Sequence, residues 1–180
     1  MIHVCPLSKV QELAAQTQPE KVVSILDPDF ETPSLGLGSD HLRLAFHDIH
    51  VPTPGAVLPE REHLLELISF LSGWSRSGPL LIHCRAGVGR STAAGFVAAC
   101  LHQPDVDEFE VARTLRAVAP LARPNETLVT LADSILERGG RMSAAISETG
   151  RDLEWIEIDE GVPFEIPLTT GRNTGHPRSD

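Results

Sequence analysis

A cysteine, an arginine and two glycines lie close together in the stretch LLIHCRAGVGRSTAA, residues 80–94. Cys84 follows an apolar run, and Arg90 comes six positions later, after a loop that contains Gly87 and Gly89. Glycine adopts backbone angles that other residues resist, so a strand–loop–helix turn of this kind can direct successive backbone N–H groups toward one centre. The stretch therefore predicts an anion-binding loop at a helix N-terminus, with a sulfur at its start.

The residue types at the two ends of this loop suit attack on a phosphoryl group. The field of the loop favours the thiolate of Cys84, which is the nucleophilic form of cysteine. Arg90 can bind two phosphate oxygens with its planar guanidinium, and Ser91 can donate a hydrogen bond to the sulfur. His83 is expected to orient the loop through backbone hydrogen bonds rather than to act as a base. The combination predicts covalent catalysis by cysteine, and the alternative is a buried structural cysteine.

Two other kinds of loop do not fit the stretch. A nucleotide-binding P-loop ends in Gly-Lys-Ser/Thr, whereas this loop reads GVGRST and has no lysine. A rhodanese-type sulfurtransferase also places a cysteine on a loop, but its loop is typically one residue shorter and lacks the His-Cys…Arg-Ser frame. Both alternatives are therefore disfavoured.

The pattern His83-Cys84-(five residues)-Arg90-Ser91 resembles the signature of the cysteine-dependent protein tyrosine phosphatase superfamily. The small size and the opening HVCPLS are similar to its compact bacterial, dual-specificity-like branch. The resemblance implies that the loop holds the phosphate of the substrate without a metal or an organic cofactor. The phosphate-binding residues that it implies are Arg85, Ala86, Gly87, Val88, Gly89 and Arg90.

The resemblance also implies a general acid, usually an aspartate on a mobile loop some thirty-odd residues before the cysteine. Asp48 lies 36 positions before Cys84, in a loop rich in proline, and is the predicted acid. It would protonate the leaving oxygen and then activate water. The weaker candidates are Asp40, Glu60 and Glu62, because they begin or flank regular elements. For Asp48 itself, the alternative is a turn or capping aspartate.

Two further sets of residues near the predicted site have competing interpretations. Asn125 follows Arg123 and Pro124 in a segment that resembles the one capping the next helix in dual-specificity phosphatases, so it either caps its helix or helps to place water. His47 and His50 flank the predicted acid, but they lack a fourth ligand at the spacing of a metal site. The sequence therefore predicts no metal.

Composition limits the partners of the chain. Its 180 residues carry a net charge of −10, which argues against nucleic acid and anionic membranes as partners. The three cysteines are far apart, which favours neither a disulfide framework nor zinc. Neither a signal peptide nor an apolar run long enough to cross a bilayer is evident. A cytoplasmic protein acting on a phosphorylated protein is the expectation.

The order of predicted elements indicates an α/β fold in a single domain, with a central, mostly parallel sheet and helices on both faces. Gly139-Gly140 is the predicted boundary between a phosphatase-like domain, 1–140, and a C-terminal extension, 141–180. Within the extension, residues 152–168 read as an amphipathic segment and the remainder as a disordered tail.

The sequence thus predicts a protein phosphatase that hydrolyses phosphotyrosine, and also phosphoserine or phosphothreonine. One alternative is a pseudophosphatase that binds phosphoproteins without turnover. Another is a phosphoinositide phosphatase, which the net charge and the presence of Val88 inside the loop, where a lysine would be expected, disfavour.

Overall fold

The computed structural model describes residues 1–150 and 158–168 of the chain. The described strands are β1 (Ile2–Pro6), β2 (Lys21–Leu26), β3 (His41–Ala45), β4 (Leu80–Cys84) and β5 (Phe164–Ile166). They form one sheet in the order β3-β2-β4-β1-β5. The first four pair in parallel, and β5 is antiparallel to β1 at the edge. The predicted α/β fold with a mostly parallel sheet is confirmed.

Helices cover both faces of this sheet, as predicted. The described helices are α1 (Val10–Thr17), α2 (Arg61–Ser72), α3 (Arg90–His102), α4 (Glu108–Val118), α5 (Glu126–Ile135) and α6 (Arg141–Gly150). Of the described helices, α1 packs on one face, where Val10 meets Cys5, Val22 and Leu81. The other five helices share the larger hydrophobic core on the opposite face. The strand that carries the cysteine is therefore central and shielded on both sides.

Local sequence explains the elements that matter most for the site. β2 and β4 are continuous apolar runs because both of their faces are covered. α3 is buried from Arg90 through Cys100, and small residues allow this central position. A Cβ added at Gly95 would lie 2.9 Å from Ile166 Cδ1 and 3.1 Å from Val4 Cγ2. Gly95 therefore lets α3 lie close to β1 and β5.

The Glu20 side chain binds the turn that leads into β4, at the end of the sheet opposite to Cys84. The Glu20 carboxylate accepts hydrogen bonds from the backbone N–H groups of Ser75 (2.7 Å) and Gly78 (2.9 Å) and from the Ser77 hydroxyl (3.1 Å). Partial burial alone would raise the pKa of Glu20, but these hydrogen bonds lower it to about 2. The carboxylate thus fixes the start of the strand that ends at Cys84.

Several element boundaries differ from the sequence-based expectation. Ser8 with Gln11 predicts a capping box, which does not form: a 3₁₀ turn, Leu7–Lys9, precedes α1, and the Ser8 hydroxyl donates to Glu160 instead. The sequence predicts Asp105 as a cap of the next helix, but the cap of α4 is Asp107, which accepts from the backbone N–H of Phe109. The helix that begins at Glu126 is predicted to run to about Arg138, but α5 ends at Ile135, and left-handed backbone follows at Glu137 (φ 53°).

The segment after Gly139-Gly140 packs on the same core as the elements before it. Met142, Ala145 and Ile146 of α6 are buried in that core, and β5 extends the sheet. A functional division of the chain at residue 140 stays a prediction. The described part of the predicted amphipathic segment 152–168 is 158–168, which includes β5; residues 151–157 and the predicted tail, 169–180, lie outside the described residues. Within 1–150 and 158–168, no helix is long and apolar enough to cross a membrane.

Candidate active site

The loop between β4 and α3 surrounds the sulfur of Cys84. β4 ends at Cys84, α3 begins at Arg90, and the sulfur side chain is buried. Its Sγ accepts a hydrogen bond from the Gly87 N–H at 3.2 Å, and the Ser91 hydroxyl lies 3.1 Å away. Both contacts lie within hydrogen-bond distance of the sulfur itself.

The backbone of the loop is oriented by hydrogen bonds to its outer side. Carbonyl groups along the loop accept from other parts of the chain: Arg85 from Leu7 (3.1 Å), Ala86 from Gly161 (2.7 Å), Val88 from Arg123 (3.0 Å) and Gly89 from Asn125 (3.2 Å). In a trans peptide, the N–H points opposite to the carbonyl. The amides of the residues that follow these four carbonyls therefore point to the inner side, where they form a cradle for an anion.

The two loop glycines serve different purposes. Gly87 has a φ of +74°, and an added Cβ would lie 2.7 Å from the backbone nitrogen of Pro6, so both conformation and space require glycine. Gly89 has a φ of −103° and is not strained, contrary to the expectation that it would share the same role. A Cβ at Gly89 would instead collide with the carboxylate of Asp48. Its missing side chain makes room for the predicted acid.

Arg90 is buried, and its Nη1 makes two hydrogen bonds. Nη1 donates to Asp27 Oδ1 at 2.7 Å and to the carbonyl oxygen of Phe46. Nε is buried and has no hydrogen-bond partner in the described part of the chain. A guanidinium held at Nη1 keeps its Nε–Nη2 edge for a ligand, which is the edge that binds two oxygens of a phosphate.

Asp48 lies over the loop, as its predicted role requires. Its Oδ2 is 4.0 Å from Arg90 Nε, and its side chain is 39% exposed, so solvent and a substrate can reach it. Asn125 donates from Nδ2 to Asp48 Oδ1 at 2.7 Å. The same asparagine caps α5, because its Oδ1 accepts from the Leu128 N–H at 3.0 Å. Asn125 thus serves the cap that the sequence indicated and also fixes Asp48.

His83 belongs to a buried hydrogen-bond chain that reaches across the sheet. Its Nε2 lies 2.5 Å from Ser24 Oγ, and Ser24 Oγ lies 2.7 Å from His41 Nε2. Burial lowers the pKa of both histidines to about 4, so both rings are neutral at pH 7. A neutral His83 that is enclosed in the sheet is suited to orienting the loop rather than to proton transfer.

The directions of these hydrogen bonds follow from their acceptors. His83 Nδ1 lies 3.4 Å from the carbonyl oxygen of Cys84, which can only accept, so Nδ1 carries the proton. Nε2 of His83 then accepts from the Ser24 hydroxyl, and Ser24 accepts from His41 Nε2. This leaves His41 Nδ1 as a buried acceptor, and it has no partner among the described residues. The chain thus ends on the carbonyl of the predicted nucleophile.

The weaker acid candidates have other partners. Asp40 pairs with Lys21 at 3.2 Å. Glu60 caps α2 in a reciprocal arrangement with His63, and Glu62 lies in the first turn of that helix. Of the predicted phosphate-binding residues, Arg85 turns its side chain outward, where its guanidinium lies 4.9 Å from the ring centre of Phe30. Its contribution to the cradle is therefore through the backbone.

The other two cysteines are buried in different surroundings. Cys5 packs beneath α1, on the face of the sheet opposite to Cys84. Burial raises the pKa of the Cys5 thiol to about 12 and also raises that of Cys100. Side chains on opposite faces of a sheet do not meet the geometry of a disulfide. In the part of the chain that the structure describes, no group of three or more His, Cys, Asp or Glu side chains could hold a metal ion.

Three residues of the site were missed by sequence reasoning: Ser24, Asp27 and His41. A signal for Asp27 existed, because it directly follows β2 and the carboxyl ends of parallel strands meet at one edge of a sheet. Ser24 is a polar residue inside an apolar strand, which also deserves a partner. His41 gave no such signal at the start of an alternating strand.

The fold and this site together place a buried cysteine, a buried arginine and a loop with inward-pointing amides between a central strand and a buried helix. The family model described as protein-tyrosine phosphatase matches residues 47–125, which include the loop and Asp48. The sequence matches no curated protein. Likeness to known proteins otherwise comes from solved structures.

Three solved structures have a similar fold. Human DUSP28 has a TM-score of 0.56 at 16% identity and covers 76% of this chain and 92% of its own. DUSP15 has a TM-score of 0.53 at 20% identity, with coverage of 85% and 92%. The human tyrosine phosphatase-like serine/threonine/tyrosine-interacting protein has a TM-score of 0.57 at 15% identity, with coverage of 77% and 92%. These likenesses show a dual-specificity-phosphatase-like fold, and the segment 47–125 is similar to the protein-tyrosine phosphatase family.

Proposed function

We propose that the protein is a cysteine-dependent protein phosphatase that hydrolyses phosphotyrosine, and also phosphoserine or phosphothreonine, without a metal or an organic cofactor. The observation that carries this proposal is the state of Arg90. Its guanidinium is fixed at Nη1, while the buried Nε has no hydrogen-bond partner among the described residues and lies 4.0 Å from Asp48 Oδ2, next to a loop whose amides point inward. A buried cation with an unsatisfied donor is costly unless an anion completes the site.

The proposed reaction has two steps. A phosphate ester enters the cradle, where Arg90 and the loop amides bind its non-bridging oxygens. The thiolate of Cys84 attacks phosphorus, an S–P bond forms, the P–O bond to the leaving group breaks, and Asp48 donates its proton to the departing oxygen. Water then attacks phosphorus, Asp48 accepts its proton, and the S–P bond breaks to release phosphate and the thiolate.

Asn125 has a position that suits both steps. It holds Asp48 at Oδ1, which leaves Oδ2 directed to the side of Arg90. Fixing one carboxylate oxygen reduces the number of orientations that the acid must lose before it reacts. Asp48 and Asn125 are 77 positions apart in the chain and join the acid loop to the start of α5.

Phosphate binding without turnover is a second candidate that one observation favours. Asp48 is held by Asn125 at Oδ1 (2.7 Å), and its Oδ2 lies 4.0 Å from Arg90 Nε, on the edge of the guanidinium that a phosphate would bind. A site arranged in this way suits a module that binds phosphate without transferring a proton.

Hydrolysis of an aryl phosphate between pH 4.5 and 8, with reductant and without metal, tests the proposal. Cys84→Ser should abolish turnover, and Asp48→Asn should lower kcat by about 10² to 10⁴-fold and remove a limb of the pH profile. Asp40→Asn is the matched control and should retain parental kcat. A parent that binds vanadate but does not turn over would refute the enzyme and support the binding module.

A further inference from the structure

Residues 160 and 161 of the C-terminal extension lie against the outer side of the loop that follows Cys84. Gly161 donates its backbone N–H to the carbonyl oxygen of Ala86 at 2.7 Å. Its neighbour Glu160 accepts a hydrogen bond from the Ser8 hydroxyl at 2.5 Å, and β5 follows within three residues and pairs with β1. The segment is thus anchored on both sides of Gly161.

The hydrogen bond from Gly161 is connected directly to the sulfur. The carbonyl of Ala86 and the N–H of Gly87 belong to the same peptide unit and point in opposite directions. Gly161 holds the carbonyl end, and the N–H end donates to Cys84 Sγ at 3.2 Å. A rotation of this peptide would replace an N–H beside the sulfur by a carbonyl oxygen, whose negative partial charge opposes a thiolate.

Close packing at Gly161 supports the same conclusion. An added Cβ would lie 3.2 Å from both the carbonyl oxygen of Gly87 and Val88 Cγ2, and 3.3 Å from the carbonyl oxygen of Ala86. Gly161 is not among the described residues with left-handed backbone. Its missing side chain therefore serves the approach of two backbones rather than an unusual conformation.

We propose that Gly161 is a positioning residue for the Cys84 nucleophile, and that the C-terminal segment around it is part of the active site. Its N–H fixes the Ala86–Gly87 peptide in the orientation that stabilises the thiolate. The effect of this hydrogen bond on turnover rests on the proposed function. Its effect on the reactivity of the Cys84 sulfur does not depend on that function.

Alkylation of Cys84 by iodoacetamide, measured against pH in the full-length chain, tests the proposal. Gly161→Pro removes the donor, and alkylation at pH 6 should become about tenfold slower, because the peptide that directs the Gly87 N–H to the sulfur is no longer held. Val162→Ala changes the next residue, which is 82% exposed, and should match the parent. Peptide mass spectrometry separates Cys84 from the two other cysteines.

Two further measurements make the result decisive. Circular dichroism and thermal melting show whether Gly161→Pro is folded; if it is not, Ser8→Ala weakens the same anchor and should slow alkylation in the same direction, by a smaller factor. If Gly161→Pro folds and its alkylation rate depends on pH as in the parent, the proposal is overturned. If Gly161→Pro does not fold, a parental alkylation rate in Ser8→Ala overturns it. An inactive parent whose alkylation still depends on Gly161 would refute the phosphatase and leave this inference standing.

Discussion

Replacement of Ser24 by alanine tests the hydrogen-bond chain beneath the loop. The hydroxyl is fully buried and joins the Nε2 atoms of His41 and His83. Its removal leaves two buried imidazole nitrogens without their partner, at a cost of about 1–3 kcal/mol each, or about 2–6 kcal/mol in total. Because domains unfold with only about 5–15 kcal/mol, the loss should be large.

Urea unfolding at pH 7, followed by tryptophan fluorescence, measures this loss. With a slope of about 2 kcal/mol per molar urea, the midpoint for Ser24→Ala should fall by about 1–3 M. Ser72→Ala is the matched control: its hydroxyl also donates one hydrogen bond, to Ile68, but at an exposed site. It should change the unfolding free energy by less than about 0.5 kcal/mol. Equal midpoints for the two variants would refute the reasoning.

Three other predictions concern charge. Asp27→Asn should lower kcat/KM for an aryl phosphate by about ten- to a hundredfold, because it weakens a charged hydrogen bond of about 1.5–3 kcal/mol; Asp29→Asn, an exposed neighbour, should not. The unfolding free energy should fall as the pH drops from about 6.5 to about 4. In this range His41 and His83 become protonated in the unfolded chain, whereas in the folded protein, where their pKa is about 4, they stay neutral. Urea titrations at pH 7, 5.5 and 4.5 measure this loss. Glu20→Gln should destabilise the protein at pH 7. The difference in stability between the variant and the parent should shrink from pH 4.5 toward pH 2, because the pKa of the Glu20 carboxyl is about 2 in the folded protein. Thermal melts measure this difference.

The sequence predicted those features that depend on neighbouring residues. The apolar run KVVSIL predicts a strand at Lys21–Leu26, which are the bounds of β2, and the loop between β4 and α3 lies where its glycines indicate, because local periodicity and turn chemistry specify both. The position of Asp48 over the loop agrees with the predicted acid, while its role stays a prediction.

The sequence did not predict contacts between distant residues. Asp27 and Arg90 are 63 positions apart, and Ser24 and His83 are 59 apart. These pairs meet because β2 lies beside β4 in the sheet, and no local pattern specifies strand order. The contact of Gly161 with Ala86 depends likewise on β5 joining the edge at β1.

The order of the strands has a consequence for any attempt to obtain a minimal fragment of this protein. The family match ends at 125 and begins at 47, yet Ser24, Asp27 and His41 precede it and Gly161 follows it. A fragment limited to the matched residues would keep Cys84 and Arg90 but would lack both sheet neighbours of β4. The smallest unit able to hold the loop in shape therefore extends from β1 to β5, and the recognisable motif is only its centre.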